Sequence, residues 1–169
     1  MSQEHKAEAP SSVRCKVITV SDTRIEQTDK SGKLMIDYLE KNHHSVTAYE
    51  IVKDQKADIE RAIKHGIDQS DVDAILLNGG TGIAKRDVTI EVVEVLLDKK
   101  MPGFGEIFRI LSYRDDIGSA AILSRATAGV IHNKAIFATP GSSGAVKLAM
   151  ERLIIPELGH VMREINKDL

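Results

Sequence analysis

An alternation governs what this chain can fold into. Runs of β-branched and aliphatic residues are each followed by a segment with apolar residues at helical spacing, and two of the runs open directly into glycine-rich loops. Residues 13–20 are nearly continuous in Val, Ile and Thr, the pattern of a strand covered on both faces, which makes Cys15 a buried hydrophobe. Leu34, Met35, Tyr38 and Leu39 then share one face of a helix, with Asp29 or Ser31 available to cap it and His43 and His44 near its end. Residues 46–52 read as a second strand, and Ile59, Ala62 and Ile63 mark the inner face of a helix starting after Asp54. A third strand, 72–77, runs into Asn78-Gly79-Gly80-Thr81-Gly82. Beyond it, Val88, Val92, Val95 and Leu96 are expected to point inward from one helix, and 104–113 to form another. A final strand at 134–139 meets Pro140-Gly141-Ser142-Ser143-Gly144 and a helix built on Ala145, Leu148 and Leu153. Strands alternating with helices specify an α/β domain with a mostly parallel sheet and helices on both faces.

The 169 residues suffice for about one domain with its own core. The first twelve are polar, contain Pro10 and show neither strand nor helix period, so 1–12 read as a flexible tail and 13–169 as the domain. A hydrophobic share of 42% with 28% charged residues excludes a disordered chain, a collagen and a coiled coil. With Lys+Arg 23 against Asp+Glu 25, the chain as a whole offers no footprint for nucleic acid or an anionic membrane, and the lack of Trp removes a base-stacking platform. A single cysteine makes no intramolecular disulfide, and there is neither a signal-peptide core nor an 18-residue apolar run. The expected compartment is a reducing cytoplasm.

In parallel α/β sheets, ligands gather beyond the carboxyl ends of the strands, where loops and helix N-termini present free backbone donors. The loops predicted there carry Ser21-Asp22-Thr23, Asp54, Gly79-Gly80-Thr81-Gly82 through Asp87, and Pro140-Gly141-Ser142. Three glycines in four positions let backbone N–H groups approach an anion, although the loop is neither a Walker A motif nor G-x-G-x-x-G, and a plain Gly-rich turn is the alternative. Asp54 and Asp87 each fall between a strand and a helix. Helix capping explains either one alone; both together beside a phosphate cradle suit a Mg–nucleotide site, because Mg2+ prefers one or two carboxylates completed by water and phosphate oxygens. Lys85 and Arg86 fit either a solvated surface or phosphate neutralisation.

The blocks TVSDTR, NGGTG, KRDVT, PGFGEIFR, ILSRATAGV and PGSSGAV, in this order from residue 13 onward, resemble the MoaB/Mog family of molybdenum cofactor biosynthesis, and the GFGEIFR block resembles its MoaB branch. The resemblance implies a three-layer α/β/α sandwich with a mostly parallel central sheet, assembled into trimers or hexamers. It implies adenylylation of molybdopterin by Mg-ATP, with Asp54 and Asp87 as the catalytic, magnesium-associated aspartates and Gly79, Gly80, Thr81 and Gly82 as the phosphate loop. It further places Ser21, Asp22, Glu106, Arg109, Ser112, Pro140, Gly141 and Ser142 along the pterin and nucleotide cleft. The alternative function is a non-catalytic oligomer that holds or delivers molybdopterin.

Overall fold

The computed structural model describes residues 7–169. Six strands form one sheet in the order β2-β1-β3-β6-β5-β4: β1 (Arg14–Val20), β2 (Ser45–Val52), β3 (Ala74–Asn78), β4 (Lys99–Lys100), β5 (Thr127–Ile131) and β6 (Lys134–Thr139). The pairs β2·β1, β1·β3 and β3·β6 are parallel, whereas β5 runs antiparallel to both β6 and β4. The helices are α1 (Lys30–Lys41), α2 (Lys56–Asp68), α3 (Thr89–Leu96), α4 (Pro102–Ser112), α5 (Ser143–Ala149) and α6 (Ile155–Asn166). No helix among the described residues is long and apolar enough to cross a membrane.

Alternation along the strands divides the interior in two. Cys15, Val17, Leu76 and Phe137 face Met35 and Leu39 of α1, Phe108 of α4, Val146 of α5 and Leu158 of α6. Ile18, Ile75, Leu77 and Ile136 face Ile59 and Ile63 of α2 and Val93 of α3. The result is three layers, α/β/α, with a continuous core on each side of the sheet. Lys16, on the second face, is only 1% exposed; its ammonium donates to the Ala62 carbonyl at 3.0 Å and pairs with Glu50 at 3.4 Å, so the buried charge is satisfied.

One expectation needs correction, and two strands lie outside the sequence reading. Val95 does not face inward but is 82% exposed, because the buried face of α3 runs through Thr89, Ile90, Val92 and Val93, and two residues beyond Val93 is about 200° further around the helix. The 134–139 strand belongs to a hairpin with β5, whose turn residues His132 and Asn133 have φ of 43° and 61°. β4 pairs with β5 through only Lys99 and Lys100, which carry no apolar pattern to read. Of the segment expected to be a flexible tail, 1–6 lie outside the described residues; in 7–12, Glu8 forms an ion pair with Arg163 of α6.

The register of β1, β3 and β6 brings Thr19, Asn78 and Thr139 side by side at the carboxyl end of the sheet, all fully buried. Asn78 Nδ2 donates to Thr19 Oγ1 at 3.0 Å, and Thr139 Oγ1 donates to the Leu77 carbonyl at 3.4 Å. Asn78→Ala strands the Thr19 hydroxyl and lowers the free energy of unfolding by about 1–3 kcal/mol in urea denaturation.

Candidate active site

The loops that leave this polar row enclose a cavity of about 370 Å3 lined by Ser21, Arg24, Asp54, Gly79 to Gly82, Arg86, Asp87, Ser124, Pro140 and Gly141. Gly79 and Gly80 turn the chain away from β3 with φ of 96° and 66°, a region costly for residues with a Cβ. A Cβ on Gly79 would meet the Val20 carbonyl at 2.2 Å. Beyond them, the backbone N–H groups of Gly80, Thr81, Gly82 and Ile83 donate to no other group among the described residues. Such a row of free amides at a strand-to-helix turn is the backbone requirement for holding an anion.

Neither aspartate is a helix cap. The cap positions of α2 and α3 are Gln55 and Val88, and neither makes a side-chain capping bond. Asp87 Oδ2 instead accepts from the Ala84 amide at 3.0 Å, closing the loop on itself, and it stands 2.6 Å from where a Gly82 Cβ would lie. Asp54 Oδ1 stands 2.9 Å from where a Gly80 Cβ would lie. The two carboxylates therefore crowd the glycine loop at points where any side chain would displace them.

Asp22 does not line the cavity but supports it. Its Oδ1 accepts from the Asp54 amide at 3.0 Å and its Oδ2 pairs with Arg86 at 3.5 Å. Ser21 Oγ accepts from the amides of Thr23 and Arg24, which folds the loop after β1. Burial and the nearby charges of Asp22 and Asp87 push the Asp54 carboxyl above its ordinary range, against the pull of Arg86. Among the described residues no three His, Cys, Asp or Glu side chains gather as a metal site, so a hard divalent cation beside Asp54 and Asp87 would need phosphate oxygens and water to complete its shell.

The other expected residues separate. Pro140 and Gly141 are in the cavity, whereas Ser142 caps α5 by accepting from the Ala145 amide at 3.2 Å. Ser112 is buried in the last turn of α4. Glu106 and Arg109 line a second cavity, of about 450 Å3, together with Lys100 and Arg125.

Two arginines escape a reading by residue type. Arg24 donates to the Gly141 carbonyl at 2.8 Å, a carbonyl also held by Ser31 Oγ at 2.6 Å, and lies 3.7 Å from the buried Asp29 that caps α1. Arg125 donates to the carbonyls of Thr81 and Gly82. Their only sequence signal is membership of the TVSDTR and ILSRATAGV blocks.

Residues 16–160 match the family model described as "Probable molybdopterin binding domain". Molybdenum cofactor biosynthesis protein B of Bacillus subtilis (strain 168) is 68% identical over 166 residues, covering 98% of both chains. This chain belongs to the MoaB/Mog family. Among solved structures, a molybdenum cofactor biosynthesis protein B superposes with a TM-score of 0.92 at 58% identity, covering 95% of this chain and 99% of the other. The tungsten cofactor synthesizing protein MoaB from Pyrococcus furiosus does so with 0.84 at 40% identity, covering 93% and 99%. The three-layer sandwich is therefore the MoaB/Mog fold, and the chain is a molybdenum cofactor biosynthesis protein. The glycine-lined cavity lies within the matched stretch.

The raised Asp54 carboxyl has a measurable consequence. As pH rises through the ordinary carboxylate range near ~4, the unfolded chain releases this proton before the folded one does, so the group's contribution to stability falls as pH climbs. In metal-free buffer, Asp54→Asn is expected to melt above the wild type at neutral pH, with the difference closing below the ordinary carboxylate range.

Proposed function

We propose that this chain binds molybdopterin and adenylylates it with Mg-ATP. The observation that carries the reading is the convergence of Asp54 and Asp87 on a loop whose amides at 80–83 have no partner among the described residues. Family membership supports molybdopterin as the second substrate. The terminal phosphate of the pterin attacks the α-phosphorus of ATP; the new P–O bond forms as the bond to the β-phosphate breaks, and pyrophosphate leaves. The pterin phosphate is already a competent nucleophile, so the chain's task is positioning and charge neutralisation.

In this reading the free amides of residues 80–83 donate to phosphate oxygens, and Arg24 and Arg86 balance their charge. Asp54 and Asp87 would hold Mg2+ with the nucleotide, and the ion would offset the negative charge that gathers on the transferring phosphoryl group and on pyrophosphate. Arg86 offsets part of the electrostatic cost of placing Asp54 near Asp22 and Asp87, and a bound cation would offset more of it.

Incubation of purified protein with molybdopterin and ATP, with and without Mg2+, tests the reading by chromatography of the products. Mg2+-dependent adenylylated pterin is expected, falling at least ~100-fold in Asp54→Asn and Asp87→Asn while pterin binding persists. Pterin binding without product under any condition would make the chain a carrier instead.

The same reading proposes a homo-oligomer, a trimer or a hexamer. Ile110 at 61% and Tyr113 at 63% exposed, with Ile107 and Ile117, form an apolar stripe along α4 and the π-helical turn that follows it, and Ile122 stands 81% exposed nearby. Such a stripe is uncommon on a monomer's surface and supports a contact between copies. Light scattering is expected to give a multiple of 18.5 kDa for the wild type and a smaller mass for Ile110→Asp. A monomeric wild type would refute the assembly.

A further inference from the structure

We propose that Arg125 is a positioning residue: from behind the glycine loop, its guanidinium holds the carbonyls of Thr81 and Gly82 so that the following amides stay available to an anion. This inference rests on reading the loop as the phosphate cradle.

Arg125 Nε donates to the Thr81 carbonyl at 2.9 Å, and Nη2 donates to the Gly82 carbonyl at 2.7 Å and to the Asp87 carbonyl at 3.4 Å. One planar group thus ties both ends of the loop, from the glycines to the second aspartate. Its remaining edge meets Glu91 of α3, through Nη1 and, at 3.3 Å, through Nη2. Arg125 does not line the glycine-lined cavity; it lines the neighbouring one with Glu106 and Arg109. It therefore reaches the loop from the far side.

The consequence follows from peptide geometry. In a trans peptide, the carbonyl of one residue and the N–H of the next point in opposite directions. Carbonyls of Thr81 and Gly82 drawn onto Arg125 turn the N–H groups of Gly82 and Ile83 away from it, and those are among the amides without a partner among the described residues. A glycine loop has little steric resistance to flipping these peptides. A flipped peptide would present an oxygen where a phosphate needs a donor. The glycines that let the backbone approach an anion thus create the need for an external clamp, and a forked, permanently charged group in ion pair with Glu91 meets it. A lysine, with one nitrogen, cannot bond both carbonyls and the carboxylate in this planar arrangement.

The test is calorimetric binding of inorganic pyrophosphate with Mg2+ to the full chain, for the wild type, Arg125→Ala, Arg125→Lys and Glu91→Gln, at low and high salt, with melting curves to verify folding. Arg125→Ala and Arg125→Lys are both expected to weaken binding about 10- to 100-fold, the range found for residues that orient others, with the loss persisting at high salt. Restoration by lysine, or disappearance of the loss at high salt, would mean that Arg125 acts only as a charge and would overturn the inference. Unchanged binding in a folded Arg125→Ala would also overturn it. Should that variant fail to fold, Glu91→Gln, which loosens the guanidinium without removing it, is expected to bind more weakly than the wild type, and equal binding counts against the clamp. A wild type that binds no pyrophosphate would instead refute the phosphate-cradle reading itself.

Discussion

The buried row of Thr19, Asn78 and Thr139 is the interaction on which the rest of the molecule depends. These residues occupy matching register positions on three parallel strands; Asn78 bonds Thr19 across one pair and Thr139 reaches the Leu77 carbonyl across the other, so the aligned register satisfies these buried polar groups. A slip of one residue would carry every aliphatic side chain of a strand to the wrong face and leave polar groups stranded in the core. With the register set, the chain leaves β1, β3 and β6 at one edge, and Gly79 and Gly141 come close enough that a Cβ on Gly141 would meet Gly79 Cα at 3.0 Å. The cavity follows from the sheet, since its loops begin where the polar row ends.

Loops of this kind gain access to a ligand at the expense of rigidity. Both glycine turns carry carbonyls that no helix or strand satisfies, and in each case a side chain from elsewhere in the chain accounts for them. Ser31 and Arg24 hold the Gly141 carbonyl, and Arg125 holds those of Thr81 and Gly82. The two arginines are themselves anchored, one near the buried Asp29 and the other on Glu91. Around this scaffold, Asp54 stands close to Asp22 and Asp87 in a partly desolvated setting, an arrangement unfavourable for stability alone. Conflicts of this sort gather where a fold has been shaped for binding or reaction.

Much of the architecture was legible because burial leaves a period in the sequence. The runs at 13–20, 46–52, 72–77 and 134–139 are strands with ends shifted by no more than two residues, and the helices between them fall where the apolar spacing places them. The two missed strands share one cause, an element specified by its neighbours. Lys99 and Lys100 become a strand because β5 offers an edge, and the 127–131 run is short and contains Gly129. Val95 is apolar yet outside, since a surface need not be polar. Among the expected site residues, Ser21, Asp54, Asp87, the glycines, Pro140 and Gly141 share one cavity, whereas Glu106 and Arg109 share another and Ser112 and Ser142 serve their own helices.

The amino-acid order by itself determined the alternation of strands and helices, the glycine turns at strand ends and the candidate aspartates, because each is written in local spacing and residue type. Tertiary structure decided which groups meet. Helix capping sufficed for either aspartate between strand and helix, and metal binding needed both together. Only the folded chain turns Asp54 and Asp87 from the helix ends toward the glycine loop, and brings Arg125 across from the approach to β5 to bond its carbonyls. Those encounters depend on strand order and register, which are settled by long-range packing of the two cores and not by any short stretch of sequence.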